Sequence, residues 1–590
     1  MSDIIHEQMS FEFETRTPIK GYPELHWTGK RPYKSTVYYP AQLKESYGQP
    51  KDDWMNKIFW GDNLQVMSHL LKDYRGKIDL IYIDPPFDSK ADYKKKIKLK
   101  GQTVESDQST FEEKQYGDIW TNDEYLQFMY ERLILCRELL SDTGSIYLHC
   151  DWHKSSHLRL LLDEIFGADN FLNEIIWTYG AGGNPRNFFP RKHDSVYWYK
   201  KGNFTCFNTN NPIMRVPYDQ STLAMHFKNI DENGRRYRIQ TVNGRNYITY
   251  EDEGKLVTDT WTDIGAQNAS SPISPEFTGY ATQKPEKLLE RIIFASSNPG
   301  DIVFDCFMGS GTTQAVAMKL GRRFIGADIN LGAIQTTTKR LINVARDLSS
   351  QIDSGDKYTG FEVYNVNNYD LFRNPVEARD LILQALDVQP FEQSNVYDGE
   401  KDGRMVKIMP VNRIATKADL AGLLANLPYK QFEKIKEENP SATVLKLTIV
   451  CMGHEPDLAG ALRESLSNYK VDIEVVDILH DRADLQFKRD AEADIAIEDG
   501  KLVIKNFFPL NLMQKLSLDK ETVEEWRQLV ESVMIDFNHD GAVLQPTVQD
   551  IPEKNGLVKG VYPIPEDAGT IRVKITDVLS ESLEIEVKNG

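Results

Sequence analysis

The sequence predicts an α/β fold built on a doubly wound, largely parallel sheet. Two short, mainly apolar runs, Lys77–Ile83 and Asp301–Asp305, are typical of strands that are buried on both faces. A motif that can carry chemistry follows each run, Asp-Pro-Pro-Phe at 84–87 and Gly-Ser-Gly at 309–311. Because open α/β sheets bind ligands at the carboxyl ends of their strands, both motifs are predicted to border one site.

The first motif suits the capture of an exocyclic amino group, whose lone pair is delocalised into a base such as adenine. The carboxylate of Asp84 and the carbonyl of Pro85 can each accept one N–H, which aims the lone pair at a methyl donor. Pro85 and Pro86 stiffen the backbone. Phe87 offers a face on which an extruded base can stack, worth roughly 1–3 kcal/mol. The alternative interpretation is a rigid turn after a buried strand, and the tetrapeptide alone does not decide between the two.

The second motif lies between a predicted strand and a predicted helix. Gly309 and Gly311 permit a tight turn and close approach of a ligand, and a helix is predicted over 312–320. The next apolar run, Arg323–Asp328, predicts a strand that ends in an acid about 20 residues after the loop, the usual place for a carboxylate that holds ribose hydroxyls. The alternative for Asp328 is the N-cap of a helix that starts near residue 331, and both roles are compatible.

Together these motifs resemble the beta class of DNA amino-methyltransferases, in which the amino-group motif precedes the cofactor loop. The resemblance covers about residues 55–345. Further segments match the family in its own order, and they are Trp60–Asn63, Tyr130–Leu133 with Gly144–Asp151, Asn170–Trp177, His193–Lys200 and Thr282–Glu286. The departures are small: Cys306 stands where the family usually has Pro, and Asp328 where Glu is common.

The resemblance implies a Rossmann-like domain that uses S-adenosyl-L-methionine to methylate DNA. In the family, Asp62 helps to bind the adenosine of the cofactor, and the segment 282–286 contacts its methionine end. The implied cofactor-binding residues are Asp62, Gln283, Lys284, Pro285, Asp305, Phe307, Gly309, Gly311, Thr312 and Asp328. The implied catalytic residues are Asp84, Pro85, Pro86 and Phe87.

Adenine N6 in double-stranded DNA is the favoured target, because the motif begins with Asp, whereas cytosine-N4 enzymes of this kind more often begin with Ser. The size of the chain and its long C-terminal region resemble the modification subunits of type III restriction systems. Three alternatives stay open: a cytosine-N4 methyltransferase, an RNA methyltransferase, and a DNA-recognition subunit that has lost catalysis. The intact motif residues argue against the last.

The formal net charge of −18 argues weakly against a nucleic-acid partner, but its distribution softens the objection. Residues 371–590 carry about −13 of it, which leaves the first 370 residues near −5. Basic residues interleaved with aromatics are predicted to contact phosphates and base edges, and they are Lys94, Lys95, Lys96, Arg235, Arg236, Arg238 and Arg245. The alternative for the lysine run is a mobile, solvated loop.

Composition indicates a globular, cytoplasmic protein of several domains. Of the 590 residues, 40% are hydrophobic and 27% are charged. No apolar run is long enough for a membrane helix, and the N-terminus lacks the features of a signal peptide. The five scattered cysteines predict reduced thiols. His149, Cys150, His153 and His157 cluster in sequence, but no second cluster completes a finger site, so no metal is predicted.

The chain is predicted to divide into five regions. An N-terminal arm covers 1–50, the amino-group half of the catalytic domain 51–202, a target-recognition domain 203–275, and the cofactor half 276–350. After a boundary near 351–375, an α+β accessory region covers 376–590. Within it a strand is predicted at 444–451, an Asp-Gly hairpin at 493–505, a helix at 521–534, and a β unit at 570–576 and 583–587.

The acidic C-terminal region is predicted to contact protein rather than DNA. It carries no recognisable catalytic motif, and the whole chain has no P-loop sequence for a motor. The expected partners are a second copy of the chain, in a homodimer, and a separate helicase–nuclease restriction subunit. The alternative is a region that only buttresses the catalytic core.

Overall fold

The computed structural model of the chain describes most, but not all, of its residues. The described residues are 9–14, 21, 23–86, 92–98, 110–117, 122–180, 186–203, 205–266, 276–278, 280, 282–350, 357–366, 379, 382–383, 386, 388–391, 396–409, 415–439, 442–454, 458–478, 491–513, 523, 525–553 and 556–587. Side chains are described for all of these except 92–98, 110–117, 122, 124 and 418.

The arm and the first catalytic half alternate strands with helices. The elements are β1 Ser10–Glu12, β2 Ser35–Val37, β3 Gln42–Tyr47, β4 Asn56–Trp60, α1 Asn63–Tyr74, β5 Ile78–Ile83, β6 Asp92–Lys98, β7 Thr110–Gly117, α2 Asn122–Leu139, β8 Leu140–Cys150, α3 Ser155–Phe166, β9 Phe171–Thr178 and β10 His193–Lys200. The predicted strand at 77–83 is confirmed. The family-like segments 170–177 and 193–200, which resemble the next two strands of the family, also form strands.

The next region is made of short elements. They are a 3-10 turn Pro212–Met214, β11 Arg215–Val216, α4 Gln220–His226, β12 Asn229–Ile230, β13 Arg236–Val242, β14 Arg245–Tyr250, β15 Lys255–Leu256 and β16 Thr260–Trp261. Its core is a small cluster of Tyr218, Leu223 and Phe227. Strands β12, β13 and β14 form a separate three-stranded sheet, so this part of the chain adds little to the main sheet.

The second catalytic half returns to long, buried elements. They are α5 Glu286–Ser296, β17 Ile302–Asp305, α6 Thr312–Lys319, β18 Arg323–Asp328, α7 Leu331–Ser349 and β19 Phe361–Asn365. The predicted strand, glycine turn, helix and strand are all present. Helix α7 is capped by Asn330, whose side-chain oxygen accepts from the N–H groups of Gly332 and Ala333.

Ten strands form one sheet in the order β16-β9-β10-β8-β5-β17-β18-β4-β19-β3. The six strands from β8 to β19 run parallel to one another, while β10 and β3 pair antiparallel at either side. The predicted doubly wound α/β fold is therefore confirmed. The sheet also takes in β3, from the arm, and β19, which lies beyond residue 350.

Side chains of the central strands alternate between two hydrophobic cores. In β5, Ile81 and Ile83 face the core lined by α1, α2 and α3, whereas Leu80 and Tyr82 face the core lined by α5, α6 and α7. A strand buried on both faces is apolar at most of its positions, which explains the short apolar runs in the sequence.

The accessory region folds into two β-containing units. The first has β20 Gln389–Pro390, β21 Gly399–Lys401, β22 Arg404–Ile408, α8 Leu420–Ala425, α9 Tyr429–Glu438, β23 Leu445–Cys451, α10 Leu458–Ser465 and β24 Val471–Asp477. The second, the terminal β unit, has β25 Glu492–Glu498, β26 Lys501–Phe508, β27 Val530–Asp536, β28 Val548–Asp550, β29 Val561–Pro563, β30 Ile571–Asp577 and β31 Ser582–Val587. The predicted strand at 444–451 and the hairpin at 493–505 are confirmed.

The helix predicted at 521–534 is wrong. The described part of this segment forms a 3-10 turn, Trp526–Leu529, and then strand β27. Strand β27 is central in its sheet, paired with β28 and β30, and Val530, Val533 and Ile535 are fully buried. Burial and pairing on both sides outweigh the local preference for helix.

The terminal β unit packs directly on the catalytic domain. Met534 and Leu544 belong to the core that lies under α5, α6 and α7. The Leu544 N–H donates to the carbonyl of Lys44 at 2.9 Å, which extends the edge of the main sheet at β3. The ammonium of Lys574 pairs with the carboxylate of Glu45, and both side chains are 11% exposed.

The Glu45–Lys574 pair yields a stability prediction. Lys574→Met should lower the free energy of unfolding by about 3 kcal/mol, because it leaves a carboxylate buried without its cation. Lys501→Met, at an exposed position of the same unit, is the control and should change stability little. Thermal and urea unfolding monitored together measure both variants. Equal midpoints for the two would contradict the prediction, and Glu45→Gln added to Lys574→Met should recover part of the loss.

Candidate active site

The two predicted motifs lie side by side at the switch point of the main sheet. Strands β5 and β17 are neighbours, with Ile81 paired to Phe304. From β5 the chain crosses to β8 on one side, and from β17 it crosses to β18 on the other. The carboxyl ends of the two strands therefore diverge around a crevice, which is where open α/β sheets hold ligands.

The carboxylate of Asp84 is held from one side only. Its Oδ2 pairs with the ammonium of Lys284, and the two side chains are 17% and 13% exposed. Its Oδ1 is buried and has no hydrogen-bond partner among the residues that the structure describes. A buried acceptor left without a donor costs roughly 1–3 kcal/mol. The arrangement therefore presents one carboxylate oxygen to an incoming N–H.

A buried hydrogen-bond network lies behind this pair. The hydroxyl of Tyr82 lies 2.9 Å from Nδ1 of His149, and Nε2 of His149 lies 3.1 Å from Oδ2 of Asp194. Tyr179 donates to the other oxygen of Asp194 at 3.0 Å. Burial raises the pKa of Asp194, but the hydrogen bond and charge of His149 and the charge of Lys284 outweigh it and hold that pKa below its ordinary value.

His149 thus serves as a buried link, since it joins a strand of the amino-group half to Asp194. Sequence reasoning considered it only as a metal ligand. Among the described residues, no group of three or more His, Cys, Asp and Glu side chains is placed to hold a metal ion.

The glycine loop is folded by a carboxylate at its base. Oδ1 of Asp305 accepts from the N–H of Phe307 at 2.9 Å, and Oδ2 accepts from the hydroxyl of Thr313 at 2.6 Å. Burial raises the pKa of Asp305 to about 7, although these hydrogen bonds oppose the shift. Gly309 and Gly311 adopt φ of +53° and +70°, left-handed values that favour glycine.

Asp328 braces the same loop from the next strand. Its Oδ2 accepts from the N–H of Gly309, and its Oδ1 accepts from the N–H of Asn330, both at 2.8 Å. Burial raises the pKa of Asp328 to about 6. The alternative role of Asp328, as the N-cap of α7, is wrong, because the N-cap residue of α7 is Asn330. Each oxygen of Asp328 keeps a second lone pair for a ligand hydroxyl.

Helix α7 holds the loop from behind. The hydroxyl of Thr337 donates to the carbonyl of Gly309 at 3.1 Å. Arg340 donates to the carbonyl of Ser310 at 3.2 Å and to the hydroxyl of Thr312 at 2.9 Å. The guanidinium of Arg340 also pairs with Glu286 at 2.8 Å, which ties α7 to α5. Sequence reasoning gave neither Thr337 nor Arg340 a role.

Asp62 lies beside Asp328, because Trp60 and Asp328 are paired at the ends of β4 and β18. It caps α1 by accepting from the N–H of Leu64 at 2.9 Å, and it pairs with Arg132 of α2 at 3.1 Å. Sequence reasoning missed Arg132. The sequence showed only that Arg132 lies in the family-like segment Tyr130–Leu133, and no spacing linked it to Asp62.

The remaining predicted cofactor residues are placed around the loop. Pro285 precedes α5 as its N-cap residue, and Phe307 packs on Phe128 with ring centroids 6.1 Å apart. The side-chain amide of Gln283 is used within its own loop, accepting from Thr278 at 2.8 Å and donating to the carbonyl of Glu276 at 2.6 Å. A direct contact from Gln283 to a cofactor stays a prediction.

Several predictions fall outside this crevice or outside the described residues. Phe87 is not among the described residues, and the side chains of Lys94, Lys95 and Lys96 on β6 are not described. The predicted DNA-binding arginines lie in the β12–β13–β14 sheet or just before β13, and they are Arg235, Arg236, Arg238 and Arg245.

Comparison with known proteins identifies the family. A family model described as DNA methylase matches residues 78–339. The type II methyltransferase M1.MboII of Moraxella bovis is 31% identical over 259 residues, which cover 43% of this chain and 85% of that protein. The chain belongs to this DNA methylase family.

Two further relatives of the methyltransferase differ in the systems that their names indicate. The DNA adenine methyltransferase YhdJ of Escherichia coli is 28% identical over 303 residues, covering 50% of this chain and 85% of YhdJ. The Mod subunit of the type III restriction-modification enzyme StyLTI of Salmonella typhimurium is 25% identical over 345 residues, covering 48% of this chain and 53% of that subunit.

The site fits the S-adenosylmethionine that the resemblance implied for this DNA methyltransferase. A Cβ at Gly311 would approach Thr337 to 2.5 Å, so only glycine lets the loop fold this closely on α7. The carboxylates of Asp62 and Asp328 lie at the ends of adjacent strands, where they can accept hydrogen bonds from an amine or a pair of ribose hydroxyls.

Gly311 provides a test of the cofactor loop. Gly311→Ala should weaken binding of S-adenosylhomocysteine by at least tenfold, because the new methyl group displaces Thr337 and frees the carbonyl of Gly309. Gly76→Ala is the matched control, since Gly76 has φ of +69° and nothing within 4 Å of the added Cβ. Both pay roughly 1–2 kcal/mol of backbone strain, but only Gly311→Ala clashes. Calorimetric titration measures both, and equal affinities would contradict the assigned role.

Proposed function

We propose that this DNA methyltransferase transfers a methyl group from S-adenosylmethionine to the N6 amino group of an adenine extruded from double-stranded DNA. The observation that carries the proposal is the buried Oδ1 of Asp84, which lies beside the glycine loop and has no described partner. The name of the relative YhdJ, a DNA adenine methyltransferase, supports the choice of base.

The residues of the site can orient the amino group. Oδ1 of Asp84 accepts one N–H, and the carbonyl of Pro85 accepts the other, which leaves the nitrogen lone pair directed at the glycine loop. Lys284 holds Oδ2 and so fixes the rotamer of the carboxylate before the base arrives. When bound, S-adenosylmethionine supplies an electrophilic methyl group.

Phe87 is proposed to stack on the extruded base. The support is its position directly after the Asp84-Pro85-Pro86 segment, together with the need to remove a base from the duplex before its amino group can react. This role stays a prediction, because Phe87 lies outside the described residues.

Two alternative activities are distinguished by the product. A cytosine-N4 or RNA methyltransferase would use the same amino-group chemistry, so the geometry at Asp84 does not separate them. An active enzyme is favoured over a recognition subunit without catalysis by two features. The carboxylate of Asp84 is present and paired with Lys284, and Gly309 and Gly311 keep the left-handed φ of the loop. Mass spectrometry of nucleosides from DNA and RNA incubated with the enzyme identifies the methylated base.

The recognition of a DNA sequence is proposed to reside in residues 203–275. The described part of this region has its own small core and its own three-stranded sheet, and it carries the predicted DNA-binding arginines.

The finer partners are also proposals. A homodimer and a separate helicase–nuclease subunit are proposed as partners, and the name of one relative, a Mod subunit of a type III restriction-modification enzyme, supports a second kind of subunit. The unit that contains β20–β24 has its own hydrophobic core and is proposed to bind such a partner.

A cytoplasmic location is proposed because the substrate is DNA and the five cysteines are unpaired. No helix in the described part of the chain has the length and apolarity that crossing a bilayer requires.

Asp84→Asn tests the central proposal. Turnover should fall by on the order of a hundredfold or more, because the amide can turn an N–H towards the amino group that must donate. Affinity for S-adenosylhomocysteine should stay within about twofold of the wild type. Asp73→Asn, on the exposed side of α1, is the control and should keep full turnover. Transfer of a labelled methyl group and calorimetry measure the two quantities, and near-normal turnover of Asp84→Asn would refute the mechanism.

A further inference from the structure

Strands β13 and β14 form a hairpin that stands away from the rest of the protein. Its turn is Asn243-Gly244, with φ of +50° and +77°, the two positive values of a tight two-residue hairpin turn. The third strand, β12, pairs only at Tyr237 and Arg236. From residue 238 to residue 249 the sheet is therefore a ribbon of two strands.

The outer part of this ribbon is exposed on both faces. Every residue from 239 to 248 is exposed, including Ile239, Val242, Tyr247 and Ile248, whose exposed fractions are 50%, 54%, 53% and 56%. An isolated two-stranded hairpin is at best marginally stable in water. Large apolar side chains on such a ribbon therefore indicate that at least one of its two faces is covered by a partner.

The charge of the ribbon indicates what that partner is. Between Arg236 and Tyr250 there are three arginines and no acidic residue. At the base, acidic residues neutralise the basic ones: Arg235 pairs with Asp252 at 2.7 Å. The guanidinium of Arg245, beside the turn, has no hydrogen bond or ion pair with any residue whose side chain the structure describes. The tip is therefore positive, which is complementary to a polyanion.

The cross-strand register divides the ribbon into two faces. Gln240 pairs with Tyr247 and Val242 pairs with Arg245, so these four side chains form one face, here called the reading face. The opposite face, here called the back face, has the pair Ile239 and Ile248 and the pair Thr241 and Asn246. On the back face the amide oxygen of Asn246 already accepts from the hydroxyl of Thr241 at 2.7 Å.

We propose that the β13–β14 hairpin inserts into the major groove of DNA and that Gln240 and Arg245 on its reading face contact base edges. This proposal rests on the proposed function and assigns the recognition of the DNA sequence to one element. The major groove is about 12 Å wide and admits a two-stranded ribbon. Glutamine makes paired hydrogen bonds to adenine and arginine makes them to guanine, so the reading face has the side chains that this role requires.

The anchoring of the hairpin suits the same role. The Arg238 guanidinium lies 5.2 Å from the ring of Phe227 and 5.4 Å from that of Tyr218, in the small core of the region. Arg236 donates to the carbonyl of Phe227 at 3.0 Å. These contacts hold the base of the ribbon in place. They leave the side chains of Gln240 and Arg245 on the reading face exposed.

The test compares variants of the full chain on a DNA library with randomised sites. Gln240→Ala and Arg245→Ala should each lower kcat/KM on the preferred site by on the order of ten- to a hundredfold, and each should relax the choice of base at one position. Ile239→Thr, on the back face, is the matched control and should keep the site and the rate within about twofold. Sequencing of the methylated molecules gives the site, and steady-state kinetics give the rate.

The outcomes separate this inference from the proposed function. Methylation of adenine at a defined sequence by the wild type tests the proposed function alone. If the wild type does so but both reading-face variants keep the same site and rate, the hairpin assignment is overturned and the proposed function stands. If Ile239→Thr instead changes the oligomeric state in sedimentation while the site is unchanged, the hairpin is a protein contact and the assignment is also overturned. If the wild type methylates only cytosine, the choice of adenine fails, and the same variants still test the hairpin on that site.

Discussion

The pairing of β5 with β17 is the constraint on which the site depends. The Asp84 motif and the glycine loop are about 220 residues apart in sequence, and nothing local brings them together. Parallel strands need long crossover connections, so neighbours in such a sheet can be far apart along the chain. Once Ile81 pairs with Phe304, the ends of both strands open into the same crevice, and the carboxylate and the glycine turn become parts of one site.

Lys284 links the Asp84 motif to the glycine loop a second time, through an ion pair and a hydrogen bond. Lys284 comes from the segment before α5, yet its ammonium reaches Asp84 at the end of β5. Its carbonyl accepts from the hydroxyl of Thr312 at 3.3 Å. A substitution at Lys284 therefore affects both the carboxylate that is proposed to receive the amino group and the loop that is proposed to face the cofactor.

Helix α7 carries this coupling to the C-terminal end of the chain. One side of the helix holds the glycine loop through Thr337 and Arg340. Another side contacts the terminal β unit, where Gln335 donates to Ser582 at 2.8 Å and Lys339 pairs with Glu531. These contacts along α7 place the terminal β unit in support of the catalytic domain, while the unit that contains β20–β24 keeps a core of its own.

The sequence by itself determined the elements of the catalytic domain and the identity of its two motifs. Strands buried on both faces, such as β5 and β17, leave short, mainly apolar runs, and the glycines and prolines of the motifs mark turns that other residues do not favour. The segment 521–534 shows the limit of this reasoning, because its apolar spacing also fits a helix and only pairing with β28 and β30 makes part of it a strand.

Only the tertiary structure decided which side chains share the site. Arg132, His149, Asp194 and Arg340 reach it from four separate elements, and no spacing in the sequence connects them. It also decided that Asn330, rather than Asp328, caps α7, which leaves Asp328 to brace the glycine loop. Local patterns encode burial and turns, whereas contacts between distant segments depend on how the strands are ordered in the sheet, and that order is set by the packing of the whole domain.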